Sequence, residues 1–209
     1  MKSIKKIFLV AIATLLSISF ASAQFGVQAG FSMTKTAEKD ADGINGFHVG
    51  PTFNLTIQGP ISLQYGLLYN LYIESEKTDK EYNSWLVTKS TLHQIDIPVR
   101  VAATFPLSGG ISAFAFAGPN FNFGLAGNSS LTTYIDGKKS DKFSFVGDDI
   151  YKTDKDLSRF NLQLSLGGGL QFNNMGVKFS YDFGLLDMHK SDAINYRDNG
   201  LKVGLFFNF

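Results

Sequence analysis

Leu201-Lys202-Val203-Gly204-Leu205-Phe206-Phe207-Asn208-Phe209 is the stretch that decides the fold. Leu201, Val203, Leu205, Phe207 and Phe209 share one parity; Lys202, Gly204, Phe206 and Asn208 share the other. Successive side chains of a strand point to opposite faces, so this is a strand with one apolar face. Working outward, eight such stretches appear: about 24–31, 46–57, 61–74, 91–103, 111–126, 158–172, 176–185 and 199–209. In seven the apolar residues are odd-numbered. In 158–172 they are even: Phe160, Leu162, Leu164, Leu166, Leu170 and Phe172. The opposite face carries Gln28, His48, Asn54, Gln64, Asn70, Gln94, Asp96, Arg100, Asn161, Gln163, Lys178, Asp182 and Lys202, with many Gly and Ser.

Which face points outward separates two classes. A soluble up-and-down barrel has an apolar interior. A membrane barrel has lipid outside and a polar lumen. Here the apolar face is bulky and rich in Phe and Tyr. The polar face is rich in Gly, Ser, Asn and Gln, which pack in a narrow lumen. Most stretches also meet the roughly 9–11 residues that a tilted strand needs to cross a bilayer. The fold expected is all-β, an eight-stranded antiparallel up-and-down transmembrane barrel.

The connections agree. Gly59-Pro60, Gly109-Gly110 and Asn173-Asn174 mark short turns, whereas 32–45, 75–90, 127–157 and 186–198 are long and polar. Short periplasmic turns and long extracellular loops are the usual asymmetry of an outer-membrane barrel. Within the longest loop, Asp136-Gly137 joins Leu131–Ile135 to Phe143–Val146 as a hairpin signal. Its arms are too short to cross a membrane. They read as an extension of the fifth and sixth strands, with a ten-stranded barrel as the alternative.

Composition narrows the function. The chain has 209 residues, 20 Phe, 21 Gly, no Cys and a formal net charge of +1. No basic excess suggests nucleic-acid binding. The absence of Cys removes disulfides and thiolate chemistry. Lys2, Lys5 and Lys6, the apolar run Ile7–Phe20 and Ala21-Ser22-Ala23 read as a cleaved Sec signal peptide over 1–23, leaving a barrel domain over 24–209. The terminal Phe209, with Phe207 behind it, resembles the signal by which the barrel-assembly machinery receives such proteins, through strand addition at an open edge.

Several motifs carry a family resemblance. Gln64-Tyr65-Gly66-Leu67-Leu68-Tyr69, Ile95-Asp96-Ile97-Pro98, Ala117-Gly118-Pro119, Gly167-Gly168-Gly169 and Tyr181-Asp182-Phe183-Gly184-Leu185 resemble the strands of the PorT-like outer-membrane barrels of Bacteroidota. The family often has an acid where Gly66 stands. The resemblance covers nearly the whole chain after the signal segment. It implies the barrel fold and, from the family's named member, a place in a type IX secretion apparatus.

Candidate chemistry is sparse. Asp96, Arg100, Lys178, Asp182 and Lys202 are the charged lumen positions, expected to pair across a narrow interior as a structural polar network. A narrow ion path is the competing reading, and Phe114, Phe116 and Phe206 on the same face oppose a wide pore. Pro98 and Pro119 predict bulges or breaks in the ladder. His48, His93 and His189 are too dispersed for a metal site. His93 faces outward without a nucleophile or acid in reach, so no enzyme, cofactor or catalytic residue is expected. Asp148-Asp149 lacks the ligand spacing of a calcium loop. Trp85, in the second long loop, is either an exposed contact residue or packed under that loop. The expectation is an outer-membrane protein in contact with lipid. It acts through its loops 75–90 and 127–157, either alone or as a subunit of a secretion or envelope assembly; a minor channel or lipid-acting enzyme is the third class.

Overall fold

The computed structural model describes residues 23–36, 43–78, 84–136, 138–153, 157–189 and 197–209. Residues 1–22 of the signal segment, and Gly137 of the hairpin turn, lie outside the described residues. The strands are β1 (Gln24–Thr36), β2 (Ile44–Gln58), β3 (Ile61–Gly66), β4 (Leu68–Lys77), β5 (Ser84–Pro106), β6 (Ile111–Ile135), β7 (Lys138–Val146), β8 (Phe160–Phe172), β9 (Met175–Gly184) and β10 (Asp198–Asn208). Among the described residues one short helix, α1, spans Ile150–Thr153.

Eight of these positions form a closed antiparallel ring. β1 pairs with β2 on one side and β10 on the other; β10, β9, β8 and β6 follow in order, and β6 pairs back to β5. β3 and β4 together make one ring position between β2 and β5. β7 pairs with β6 above the ring, so the hairpin extends the wall and does not add a ring strand. Among the described residues no helix is long and apolar enough to cross a membrane.

The parity read from the sequence sets the two faces. Phe31, Phe47, Val101, Leu166, Phe179, Leu205 and Phe209 are exposed on the outer wall. Gln28, His48, Asn70, Asn120, Asn161, Ser165 and Asp182 are buried inside. This inversion of a soluble core is what lipid solvation demands. Three tight turns close one end. Gly109 and Gly110 have φ of 66° and 78°, a conformation that side chains avoid, and Asn173 adopts it at 51°.

Two sequence expectations change. First, 75–77 and 84–90 are wall strands, as are 127–135 and 138–146, the last of which is the extension the hairpin signal predicts. Ser75–Lys77 pair with Val87–Lys89, and Ser84–Ser90 pair with Ser129–Ile135. Both faces of this extension meet water, so Thr88, Ser90, Thr132 and Thr133 leave no apolar parity to read. Second, a register shift of β5 and β6 that the sequence did not signal falls at His93/Gln94, opposite Ala126 and Gly124, while the break expected at the prolines is an interruption at constant register, with Val99 and Arg100 left out of the ladder opposite Pro119 and Gly118. Pro119 pairs with Leu164 in continuous register. Pro98, which lacks an N–H, stands level with the interruption between β3 and β4. There Leu67 N donates to Pro51 O on the other neighbour at 3.0 Å. The ladder is therefore interrupted beside Pro98 toward both neighbours.

Candidate functional site

The lumen is built in two layers. In the first, inward parity on β5, β9 and β10 brings Asp96, Arg100, Asp182 and Lys202 together. Lys202 Nζ lies 2.9 Å from Asp96 Oδ2 and 2.5 Å from Asp182 Oδ2. Asp182 Oδ1 accepts a hydrogen bond from Ser165 Oγ and faces Arg100 Nη2 at 3.6 Å. Asp96 Oδ1 accepts from Asn122 Nδ2 at 2.7 Å, and that amide also donates to Gln94 Oε1 at 2.8 Å. All four charged side chains are at most 4% exposed. Buried charges on this scale need partners, and here each acid has a cation and a neutral donor. Beside this cluster His48 Nε2 and Gln28 Nε2 are 2.9 Å apart. Asn120 donates to Gln163 at 2.8 Å, and Thr34 Oγ1 donates to Asp198 at 2.6 Å.

The second layer, toward the tight turns, is aromatic. Phe114, Phe116 and Phe206 cluster with Ala102. The volume for these rings comes from glycine on facing strands. A Cβ at Gly167 or Gly169 would meet the Phe116 or Phe114 ring at 2.5 or 2.7 Å, and one at Gly176 the Phe206 ring at 2.6 Å. Lys178 belongs to this layer and stays apart from the acids. Its Nζ lies 5.3–5.9 Å from the three ring centroids. Arg100 spans the layers, with its guanidinium 4.7 Å from the Phe116 centroid. The structure thus joins four of the five charged lumen residues and leaves Lys178 separate. Register alone signals the Gly–Phe interlocking, because Gly167 pairs with Phe116 and Gly169 with Phe114.

At the loop end, α1 lies over the mouth. Tyr151 packs where a side chain at Gly124 would stand, and Ile150 does the same at Gly127. Asp149 Oδ1 accepts from Gly127 N at 3.0 Å and Tyr151 N at 3.3 Å, while its Oδ2 accepts from Arg159 Nη2 at 2.9 Å. The Gly127 N–H, then Arg159 and the Tyr151 N–H, hold this carboxyl below the usual carboxylate range. Met188 is buried, and its carbonyl accepts from Ser158 N at 2.7 Å. Sequence reasoning missed this latch, since Asp149 and Arg159 show no pattern until the turn between them is folded.

Trp85 lies on the β5 extension, not in a loop. It stacks on Tyr134 at 5.1 Å with an interplanar angle of 6°, and Lys77 Nζ sits 4.7 Å from its ring. His93 is on the outer wall, 2.5 Å from the Tyr69 hydroxyl through Nδ1. Phe209 stacks on Phe25 at 5.4 Å and meets Phe207 edge-on at 5.2 Å, closing the β1–β10 seam.

The ring, its inverted polarity and its paired lumen charges agree with a match to a family model over residues 17–190, described as outer membrane protein beta-barrel domain. The chain belongs to that family. It is a small outer-membrane β-barrel protein. Among solved structures, Neisserial surface protein A aligns at 15% identity and TM-score 0.48, covering 90% of this chain and 99% of that one. Ail, the attachment invasion locus protein of Yersinia pestis, aligns at 14% identity and TM-score 0.37 with the same coverages. OprG of Pseudomonas aeruginosa aligns at 10% identity and TM-score 0.41, covering 90% and 96%. No curated protein matches the chain.

Proposed function

We propose that this barrel is a membrane-held platform that works by contact through its loop end, with a lumen closed to ions and no enzymatic activity. One observation carries the reading. β5 and β6 contain 23 and 25 residues, whereas a tilted strand crosses a bilayer in roughly 9–11. The surplus, with β4 and β7 alongside, forms a paired ridge that stands clear of the membrane and carries Trp85. A closed lumen is supported by the Asp96–Lys202–Asp182–Arg100 cluster and the Phe layer below it. The loop end is then the extracellular face, and both chain ends are periplasmic. Export by a Sec signal over 1–23, and delivery to the barrel-assembly machinery through Phe207 and Phe209, belong to the same reading.

The PorT-like resemblance favours a second form of it, in which the ridge is one face of a type IX secretion or other envelope assembly. The motif residues Asp96 and Asp182 both stand in the lumen cluster, so the resemblance and the packing select the same positions. The test is gentle extraction of affinity-tagged protein from native outer membranes, followed by native mass analysis, with a Trp85→Ala/Tyr134→Ala variant alongside. Stoichiometric partners that the variant loses support the platform and name the assembly. Elution of the unaltered protein as one chain removes the assembly form. Large, steady currents in planar bilayers would refute the closed lumen.

A further inference from the structure

The cations of the turn-end layer outnumber its acids. Asp96 and Asp182 balance Lys202 and Arg100, whereas Lys178 has no ion pair among the described residues. The third lumen acid, Asp198, bonds to Thr34 at the start of β10, while Lys178 is level with Gly204 near the other end of that strand. Between Arg100 and Lys178 lies a cavity of about 40 Å³, lined also by Gln28, Gln64, Asn54 and Phe206. Arg100 is 3% exposed, and its Nε has no hydrogen-bond partner. A cavity needs roughly 10–15 Å³ to hold one water, so this one has room for a small ion. A larger vestibule of about 490 Å³ at the turn end shares Asn54, Thr104 and Gln171 with it, which supplies a route in.

We propose that this cavity is a binding site for a small monovalent inorganic anion of halide size, held between Lys178 and Arg100 and filled from the turn end. The charge excess is one, which favours a monovalent ion over sulfate or phosphate. The guanidinium Nε–H and the lysine ammonium are the donors. The anion sits beside the one cation of the turn-end layer that has no acid next to it among the described residues, so it is a structural ligand and does not pass through the barrel.

The test uses the full barrel folded in phospholipid vesicles and unfolded with urea, in sodium chloride against sodium gluconate at equal ionic strength. Specific binding stabilises the folded state in proportion to occupancy; at a hundredfold excess over Kd the folding constant rises about a hundredfold. Saturable stabilisation by chloride, absent in Lys178→Met and retained in Lys77→Gln, supports the site. Equal stability of the unaltered protein in both salts overturns it, as does a chloride effect that survives Lys178→Met. Should Lys178→Met fail to fold, crystals of the unaltered protein grown in bromide decide. An anomalous peak between Lys178 and Arg100 supports the site, and a cavity holding only water overturns it.

Discussion

Replacing Asp182 by Asn should cost more than any other isosteric change in this chain. The carboxylate serves three groups at once: Lys202 Nζ at 2.5 Å, the Ser165 hydroxyl, and Arg100 Nη2 at 3.6 Å. Its side chain is fully buried, and Arg100 and Lys202 are each only 4% exposed. Asn keeps the shape and the Ser165 contact but removes the charge. Lys202 retains Asp96; Arg100 loses the one acid it pairs with among the described residues. Removing one partner of a buried pair leaves an uncompensated charge and typically costs about 3–5 kcal/mol. That is roughly a hundredfold to several-thousandfold loss in the folding constant. The measurement is a urea titration of the refolded barrel in vesicles, read by circular dichroism and by heat-shifted gel mobility. A double-mutant cycle with Lys202→Met should give a coupling above about 0.5 kcal/mol. If Asp182→Asn unfolds within about 1 kcal/mol of the unaltered protein, the cluster is solvated and the closed-lumen argument fails.

Other predictions follow from the remaining contacts. Gly167→Val puts a side chain into the Phe116 ring and should cost on the order of 1–3 kcal/mol in the same titration. Trp85→Ala removes a stack worth about 0.5–1.5 kcal/mol, so limited proteolysis should cut the β5–β6 extension faster while the ring stays protected. Asp149 is held below the usual carboxylate range, so its contribution to seating α1 is present above about pH 4 and is lost as pH falls through its lowered value. Exchange of the Gly127 N–H, corrected for its intrinsic rate, should therefore rise on acidification; a flat corrected rate would show that Asp149 does not hold the latch.

The wall was legible in the sequence because lipid makes it so. Each outward residue must be apolar, so Leu201, Val203, Leu205 and Phe207 declare both a strand and its face. The charged lumen residues were legible for the converse reason, since Asp96, Asp182 and Lys202 interrupt long apolar stretches at inward parity. Grouping was not. Asp96 and Asp182 lie on β5 and β9, and only ring closure brings both to Lys202. The ridge was hidden because water bathes both its faces, and the latch because Asp149 acts through backbone N–H groups that exist only once α1 forms.

The two-layer lumen explains why the glycines are where they are. An eight-stranded ring has just enough interior for side chains to fill. Polar side chains of moderate size fill the loop-end half, where Asn120, Asn122, Asn161 and Gln163 are buried. In the turn-end half three Phe rings point inward, and no ring of that diameter holds them against ordinary neighbours. Gly167, Gly169 and Gly176 give up the volume that Phe116, Phe114 and Phe206 take. Glycine in a strand weakens it, and an aromatic ring laid over it restores the lost packing. Closure of the lumen therefore rests on different physics at its two ends: charge pairing above, ring-on-backbone packing below. Arg100 belongs to both, through Asp182 and Phe116, and Arg100→Met should loosen the two layers together, lowering the unfolding midpoint by more than Phe116→Leu alone. If Arg100→Met instead matches Phe116→Leu, the layers are independent and the guanidinium serves only as a filler.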